Sequence, residues 1–600
     1  MSDDLEQQLI DPVTLSVVQG ALQATQRAMT LTMERTGRSP VYSVARDYSN
    51  AIFDWDARMV LQGEDLPTHL GSLVLATKAV AGWFGDDVAP GDVMFHNDPV
   101  YDGSHIADMC MYKPVFFEGE VVFWAVSKGH VIDAGGPVPG SYNAEAKEIW
   151  AEGLRIPPLK IVERGRRRED VINMILLNVR SRRNQAGDMN AQMGAVRLGE
   201  QRLLALLEKF GVATVRAAIE RLLELAEEHT RTIVRALPDG VYRNAVISED
   251  PGHGHGDQTI AAEVEIRGDR ATVRISGPPQ IDFYMNSYRS NTLSGIYAGF
   301  LMFAQVQPPF NEGLYRPLEV DFGPPGTMVN AVEPAPHVNC TGGMQETICD
   351  AVRGAFTQAR PERALAGWNH TCGMNIAGVD PRSGESYVDL RMSTVIGGAG
   401  ALAGVADGWH AIGAQAALGA QQTGETELVE HISPVIIHEL SIAQDSAGPG
   451  TFRGGCGLVT EFEPIGHDMS VIVWGEGFAH RPPSVDGAFA VLPDAKLARG
   501  WHIVEDEAVD EVRTNRTLVV RPGERFRFRN PGGGGAGDPF ARPPELVAED
   551  VRNRKVSAAA ARTEYGVAID PASGEPDLAA TIALRALAAA PSDASEEAAR

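Results

Sequence analysis

The sequence predicts a multidomain α+β chain, mixed α/β in places, with neither a Rossmann nor a P-loop unit. Three observations predict it. The chain has 600 residues, too many for one compact core, so two or three cores are expected. Blocks of helical periodicity alternate irregularly with short apolar runs, without the βαβ rhythm of a doubly wound sheet. No G-x-x-x-x-G-K-[ST] loop is present.

The elements follow in order. Residues 11–35, DPVTLSVVQGALQATQRAMTLTMER, read as a helix, with Pro12 at its start and apolar residues every three or four positions. From PVYSVARDYSNAIFDWDARMV to VVFWAVSKGHVIDAGG the pattern changes to short β-type runs broken by Gly, Asp and Pro. A second helical block covers about 169–237. Within it RLLALLEKF and TVRAAIERLLELAEEHTRTIVRAL are amphipathic, and PDG at 238–240 stops it. Residues 241–279 read as strands, with RGDR as a hairpin turn. A Gly-rich mixed region follows, and the chain is strand-like again near 426–530. The expected division is therefore 1–237, a domain with the N-terminal helix, the helical block and a candidate metal site; 238–425, mixed α/β; 426–540, mainly β; and 541–600, a helical extension. That extension ends in AAAPSDASEEAAR, which has little to bury and is expected to be mobile.

Composition excludes some functions. A net charge of −26, from 53 Lys and Arg against 79 Asp and Glu, argues against nucleic-acid binding, which needs a basic face. RGRRR at 164–168 is too short to override that and reads as a solvated loop. The start, MSDDLEQQL, is acidic and lacks the apolar region of a signal peptide. No apolar run approaches the roughly 18 residues that span a bilayer. These features predict a cytoplasmic protein. The five cysteines form no CxxC pair, so a thiolate zinc site or a disulfide framework is not expected.

One stretch carries chemistry: HNDPVYDGSHIADMC, residues 96–110. His105 and Asp108 stand in H-x-x-D spacing, which on one turn lets both side chains face one ion. Gly103 and Ser104 permit the sharp bend. SKGHVIDAGG repeats the spacing with His130 and Asp133, straight after the apolar run VVFWAV. Imidazole and carboxylate ligands from converging segments hold metals of the zinc and manganese kind. The plainer reading, that polar turn residues simply gather in surface loops, stands beside this one on spacing alone.

Other stretches are less specific. GHGHGD at 252–257 reads as a turn, and PGGGGAGDP at 531–539 as a tight backbone path rather than a phosphate loop. Arg453 of GPGTFRGGCG is suited either to an anionic group or to a surface ion pair. Cys340 and Cys456 have no base partner and read as buried structural thiols. Thr341, Gln345 and Glu346 of CTGGMQETICD are candidates for lining a pocket, with no spacing that singles them out.

HNDPVYDGSHIADM, GHVIDAGGPVPGS, EIWAEGLRIPPLKI, GTFRGGCGL and PGGGGAGDP together resemble the hydantoinase B family, over about residues 10–566. That family includes B-type subunits of N-methylhydantoinase, 5-oxoprolinase and caprolactamase, and relatives in acetone and acetophenone carboxylases. Its loop more usually reads N-D-P-Y-x-G-G-T-H; here Val100, Asp102 and Ser104 depart from it, and Asp102 adds a carboxylate. The resemblance implies a metal held by Asp47, His105, Asp108 and His130, with zinc or manganese suiting the donors. It makes Asp98, Asp102 and Asp133 candidates for orienting the imidazoles, with Asp102 or Asp133 as a catalytic base, and leaves His96 to brace the loop. It further implies ATP and Mg²⁺ used by an A-type partner subunit in a hetero-oligomer, which phosphorylates a cyclic amide (hydantoin, 5-oxoproline or lactam) that is opened in this chain. The alternatives are a ketone carboxylase subunit and a non-catalytic scaffold stabilised by its metal.

Overall fold

A computed structural model of the chain describes residues 10–589, apart from 64, 251–252, 308 and 486–495. The acidic start and most of the tail expected to be mobile therefore lie outside the described residues. The architecture is α+β: four sheets of four to seven strands and one two-stranded ribbon, with helices packed against them. No described helix is long and apolar enough to cross a membrane.

The N-terminal sheet positions the candidate site. Its seven strands run in the order Met59–Gln62, Tyr48–Asp54, Glu120–His130, Asp108–Phe117, Val93–His96, Leu159–Glu163 and Arg166–Arg167, every pair antiparallel. In the central strand every residue from Val122 to His130 is buried. A strand covered on both faces reads as a continuous apolar run, which is why VVFWAV shows no alternation.

The helix Pro12–Thr36 covers one face, with the longer helix Arg182–Phe210 beside it. Asp11 caps the first by accepting from the amides of Val13 and Thr14 at 3.1 and 2.9 Å, and Pro12 fills the position where an N–H would have no partner. The second comes close through Gly199, where a Cβ would lie 2.7 Å from Met29 Sδ and 3.0 Å from the Ala125 Cβ. The helix Leu70–Phe84 lies across the other face near the strand ends, where Ser72 meets Lys128.

The helical block expected over about 169–237 is three helices, Glu169–Leu177, Arg182–Phe210 and Val212–Arg235. Gly211 separates the last two with φ +76°, a conformation that costs glycine little. The RGDR hairpin forms as expected, with Arg267 opposite Arg270. The helices Arg289–Ala304 and Met344–Ala359 pack together behind the next sheet. Gly299 allows their approach, because a Cβ there would meet the Cys349 carbonyl at 2.7 Å.

PGGGGAGDP follows a tight backbone path. A Cβ on Gly533 would stand 2.0 Å from the Ala399 carbonyl oxygen. All five cysteines are free and buried. Arg453 forms an ion pair, but not at the surface. It is buried, and its Nε and Nη2 donate to Asp550 at 3.0 and 3.1 Å. Arg542 also donates to Asp550, at 2.9 Å, so one carboxylate ties the helix Pro544–Arg552 to two buried guanidinium groups. Asp550→Ala would strip the buried Arg453 of its two hydrogen-bonded carboxylate oxygens and leave it only Asp407, 3.6 Å away and shared with Arg542. We expect it to destabilise the protein by about 3–5 kcal/mol, and Asp550→Asn by less, read from thermal or denaturant unfolding.

Candidate metal centre

Three strand ends meet at one point. Asp108 is the first residue of its strand and His130 the last of its own, and antiparallel register sets them directly opposite. On the other side Tyr48 pairs with Gly129, and the His130 amide donates to the Asp47 carbonyl at 3.0 Å. His105 is added by the turn before the strand, closed by the Asp108 amide on the His105 carbonyl at 2.9 Å. The H-x-x-D spacing is thus one turn running into a strand. All four side chains are buried, from 1% exposed at His105 and Asp108 to 8% at Asp47.

His105 Nδ1 donates to the Val338 carbonyl at 2.8 Å, which turns the Nε2 lone pair of a neutral ring inward. That Nε2 lies 3.0 Å from Asp108 Oδ1 and 3.1 Å from His130 Nδ1, and His130 Nδ1 is 3.5 Å from Asp108 Oδ1. His105, Asp108 and His130 form the metal-type cluster found among the described residues. Ligands about 2.0–2.2 Å from one ion, in tetrahedral or octahedral arrangement, stand roughly 3.0–3.5 Å apart. The donor set fits a divalent ion of the zinc or manganese kind, and Asp47 lines the same chamber.

Lys128, 1% exposed, decides which oxygen of Asp108 is available. Its ammonium donates to Asp108 Oδ2 at 2.9 Å and to the hydroxyls of Ser72 and Ser104 at 2.8 and 2.5 Å, and Ser104 also donates to Oδ2. Oδ1 is left facing the imidazoles. Burial alone would raise the Asp108 carboxyl, but Lys128, then His105 and His69, hold it well below the usual carboxylate range. Asp47 has no such cation in contact, and burial pushes its carboxyl up.

The chamber has a cavity volume of about 40 Å³, room for a few waters. His69 enters it from a short helical turn, its Nε2 3.7 Å from Asp108 Oδ2 and 3.9 Å from Asp47 Oδ1. Burial, then the charge of Lys128, keeps this imidazole neutral, well below its usual pKa. Opposite the cluster, Tyr142 stacks on Trp474 with centroids 4.3 Å apart. Thr341 and Glu346 line the chamber, whereas Gln345 donates to the Thr68 carbonyl at 3.0 Å. Burial lifts the Glu346 carboxyl to about 8.

The other expected aspartates are engaged elsewhere. Asp102, with φ +63°, forms a two-pronged ion pair with Arg289 at 2.6 Å. Asp133 accepts from the Gly140 and Arg180 amides and the Arg180 guanidinium at 2.8–3.0 Å. Asp98 pairs with Arg155. None of the three lines the chamber, and a backbone carbonyl orients His105 instead. His96 braces its loop, Nε2 facing the Tyr101 carbonyl at 3.2 Å. In GHGHGD, His253 packs on Phe283 while the Asp250 carboxylate gathers the amides of Gly254 and Gly256, as in a turn.

Sequence reasoning missed His69, Lys128 and the aromatic pair. Lys128 had a signal: a lysine inside the apolar run WAVSKGH needs a buried counter-charge. His69, in DLPTHLG, has only Asp65 beside it, which Gln26, Thr30 and Asn50 engage, and the tertiary fold brings it in.

Comparison with known proteins places the chain among relatives of the same fold. The profile of the hydantoinase B/oxoprolinase family matches residues 11–539. The caprolactamase subunit beta of Pseudomonas jessenii is 54% identical over 578 residues, covering 96% of this chain and 99% of that one. The crystal structure of the ATP-dependent caprolactamase from that organism superposes with a TM-score of 0.91 at 52% identity, over 96% of this chain and 100% of the other. A nucleotide-free acetone carboxylase structure shares the fold, with a TM-score of 0.88 at 19% identity, over 98% and 85%.

We expect purified protein to carry close to one zinc or manganese ion per chain by elemental analysis, with His105→Ala and His130→Ala both losing it. Lys128→Met keeps every ligand but leaves Asp108 Oδ2 with Ser104 and no ammonium, and should weaken metal affinity about 10–100-fold in chelator competition. A separate expectation concerns pH. Glu346 goes from its ordinary 4.5 in the unfolded chain to about 8 when folded, so the stability its neutral form confers is full below pH 4.5 and is lost as pH rises through about 8. The melting temperature of Glu346→Gln should therefore gain on that of the parent protein across this window, and an unchanging difference would refute the shift.

Proposed function

The chain belongs to the hydantoinase B/oxoprolinase family, and from that premise we propose that it is the metal-holding B-type subunit of an ATP-dependent enzyme that opens cyclic amides. The observation that carries the reading is the convergence of His105, Asp108 and His130 in a buried chamber with an aromatic wall.

Asp47, His105, Asp108 and His130 would hold the ion. When bound, such an ion supplies Lewis acidity, polarising a bound oxygen and lowering the pKa of water. The chain's own residues do the rest. The Val338 carbonyl fixes the tautomer of His105, and Lys128 fixes the available oxygen of Asp108. Tyr142, Trp474, Leu390 and Val395 offer an apolar face to ring methylenes. Asp102 and Asp133 act at one remove, by holding the two loops that present His105 and His130.

An amide is a poor electrophile, and phosphorylating its oxygen creates a leaving group. We assign that step to an A-type partner using ATP and Mg²⁺, since this sequence has no Walker-type loop. The relative named as caprolactamase subunit beta makes a lactam the first substrate to try.

The test compares this chain alone, and with an A-type subunit, in ATP and ε-caprolactam. We expect no ATP hydrolysis from the isolated chain, and lactam-dependent ATP hydrolysis with amino-acid release from the pair. Robust ATPase activity of the isolated chain would overturn the division of labour. Bicarbonate-dependent carboxylation of a ketone by the pair would favour the carboxylase alternative. A pair that assembles, holds metal and turns over nothing would favour the scaffold.

A further inference from the structure

Glu346 lies in the first turn of the helix Met344–Ala359 and is fully buried. Its Oε1 accepts from the Ala416 amide at 3.2 Å and lies 3.5 Å from Thr371 Oγ1. Its Oε2 meets no donor among the described residues. Carboxylates this deep are ordinarily paired, because an unpaired buried charge costs several kcal/mol. Asp350, one helical turn on, shows the ordinary case: it bonds both Arg353 and His370, and the other ring nitrogen of His370 is 2.6 Å from Glu476. The nearby cations are therefore engaged, and Glu346 is one of the residues lining the chamber shared by Asp47, His105, Asp108 and His130.

We propose, on the basis of the cyclic-amide reading above, that Glu346 is the catalytic acid that makes the ring nitrogen leave. Its burial and its carboxyl pushed up to about 8 keep it protonated near neutral pH.

The chemistry requires such a group. Water adds across the C=N bond of the phosphorylated amide: its hydroxyl bonds to carbon and its other proton goes to nitrogen. The tetrahedral carbon then carries a hydroxyl, a phosphoryl oxygen and the ring nitrogen. Loss of phosphate returns the intact amide and wastes the ATP. Loss of nitrogen opens the ring, but an unprotonated nitrogen leaves less readily than phosphate. The Glu346 carboxylic acid gives its proton to nitrogen as the C–N bond breaks and the electron pair goes to nitrogen. The resulting carboxylate takes the hydroxyl proton as the C=O bond forms. Glu346 is restored, and an amine and an acyl phosphate remain. A second water hydrolyses the acyl phosphate, so one ATP and two waters yield one amino acid, ADP and phosphate.

The experiment uses the two-subunit enzyme with ε-caprolactam and ATP in ¹⁸O-water, counting rings opened per ATP and label in the recovered lactam. Futile turnover expels phosphate with the original oxygen, so the returned lactam carries oxygen from water. We expect Glu346→Gln to keep its metal content and lactam-dependent ATP hydrolysis, to open about 10²-fold fewer rings per ATP, and to return labelled lactam. Glu346→Asp should restore part of the coupling. If the glutamine variant does not fold, Glu346→Asp must show the same uncoupling in smaller measure. Parental coupling in Glu346→Gln overturns the proposal. So does loss of lactam-dependent ATP hydrolysis at unchanged metal content, because the acid acts after phosphorylation. Failure of the parent enzyme to open any lactam overturns the cyclic-amide reading as well.

Discussion

Asp108 faces His130 because their strands pair in one antiparallel register, and Asp47 joins them because the Tyr48–Asp54 strand is registered on the far side of the same central strand. Side chains alternate faces along a strand, so a slip of one residue would turn His130 and Lys128 toward the long helices. That is the face of Ala125 and Ser127, where Gly199 and Met33 pack. The donor geometry is thus a property of backbone pairing, and a slip would exchange Trp124 and Val126 with Ala125 and Ser127 between two packed faces that fit side chains of different size.

Lys128 sets the charge of the chamber. The buried ammonium offsets the charge of Asp108, whereas Asp47 has no such cation in contact among the described residues. The same charge, after burial, helps to keep His69 neutral, so that imidazole can accept a proton or a hydrogen bond there.

Much of this was readable from local patterns. The H-x-x-D pair His105 and Asp108 is one turn, and spacing is a faithful guide at that range. The same spacing at His130 and Asp133 misleads: His130 ends a strand, whereas Asp133 belongs to a loop drawn off by Arg180. Asp102 was placed to orient an imidazole or serve as a base, yet Arg289, distant in sequence, claims it. Helices and hairpins declare themselves through period and turn residues, as RGDR does. The partners of a buried charge are decided by long-range packing, which one sequence does not display.

His105 depends on Val338, and the chamber is closed by residues from 341 to 474. The four residues assigned as ligands all lie between 47 and 130. Translation therefore delivers the donors several hundred residues ahead of their cover. The donors are thus contributed by the first part of the chain and their cover by a much later part, so truncation after the first sheet would leave the four side chains without the residues that enclose them.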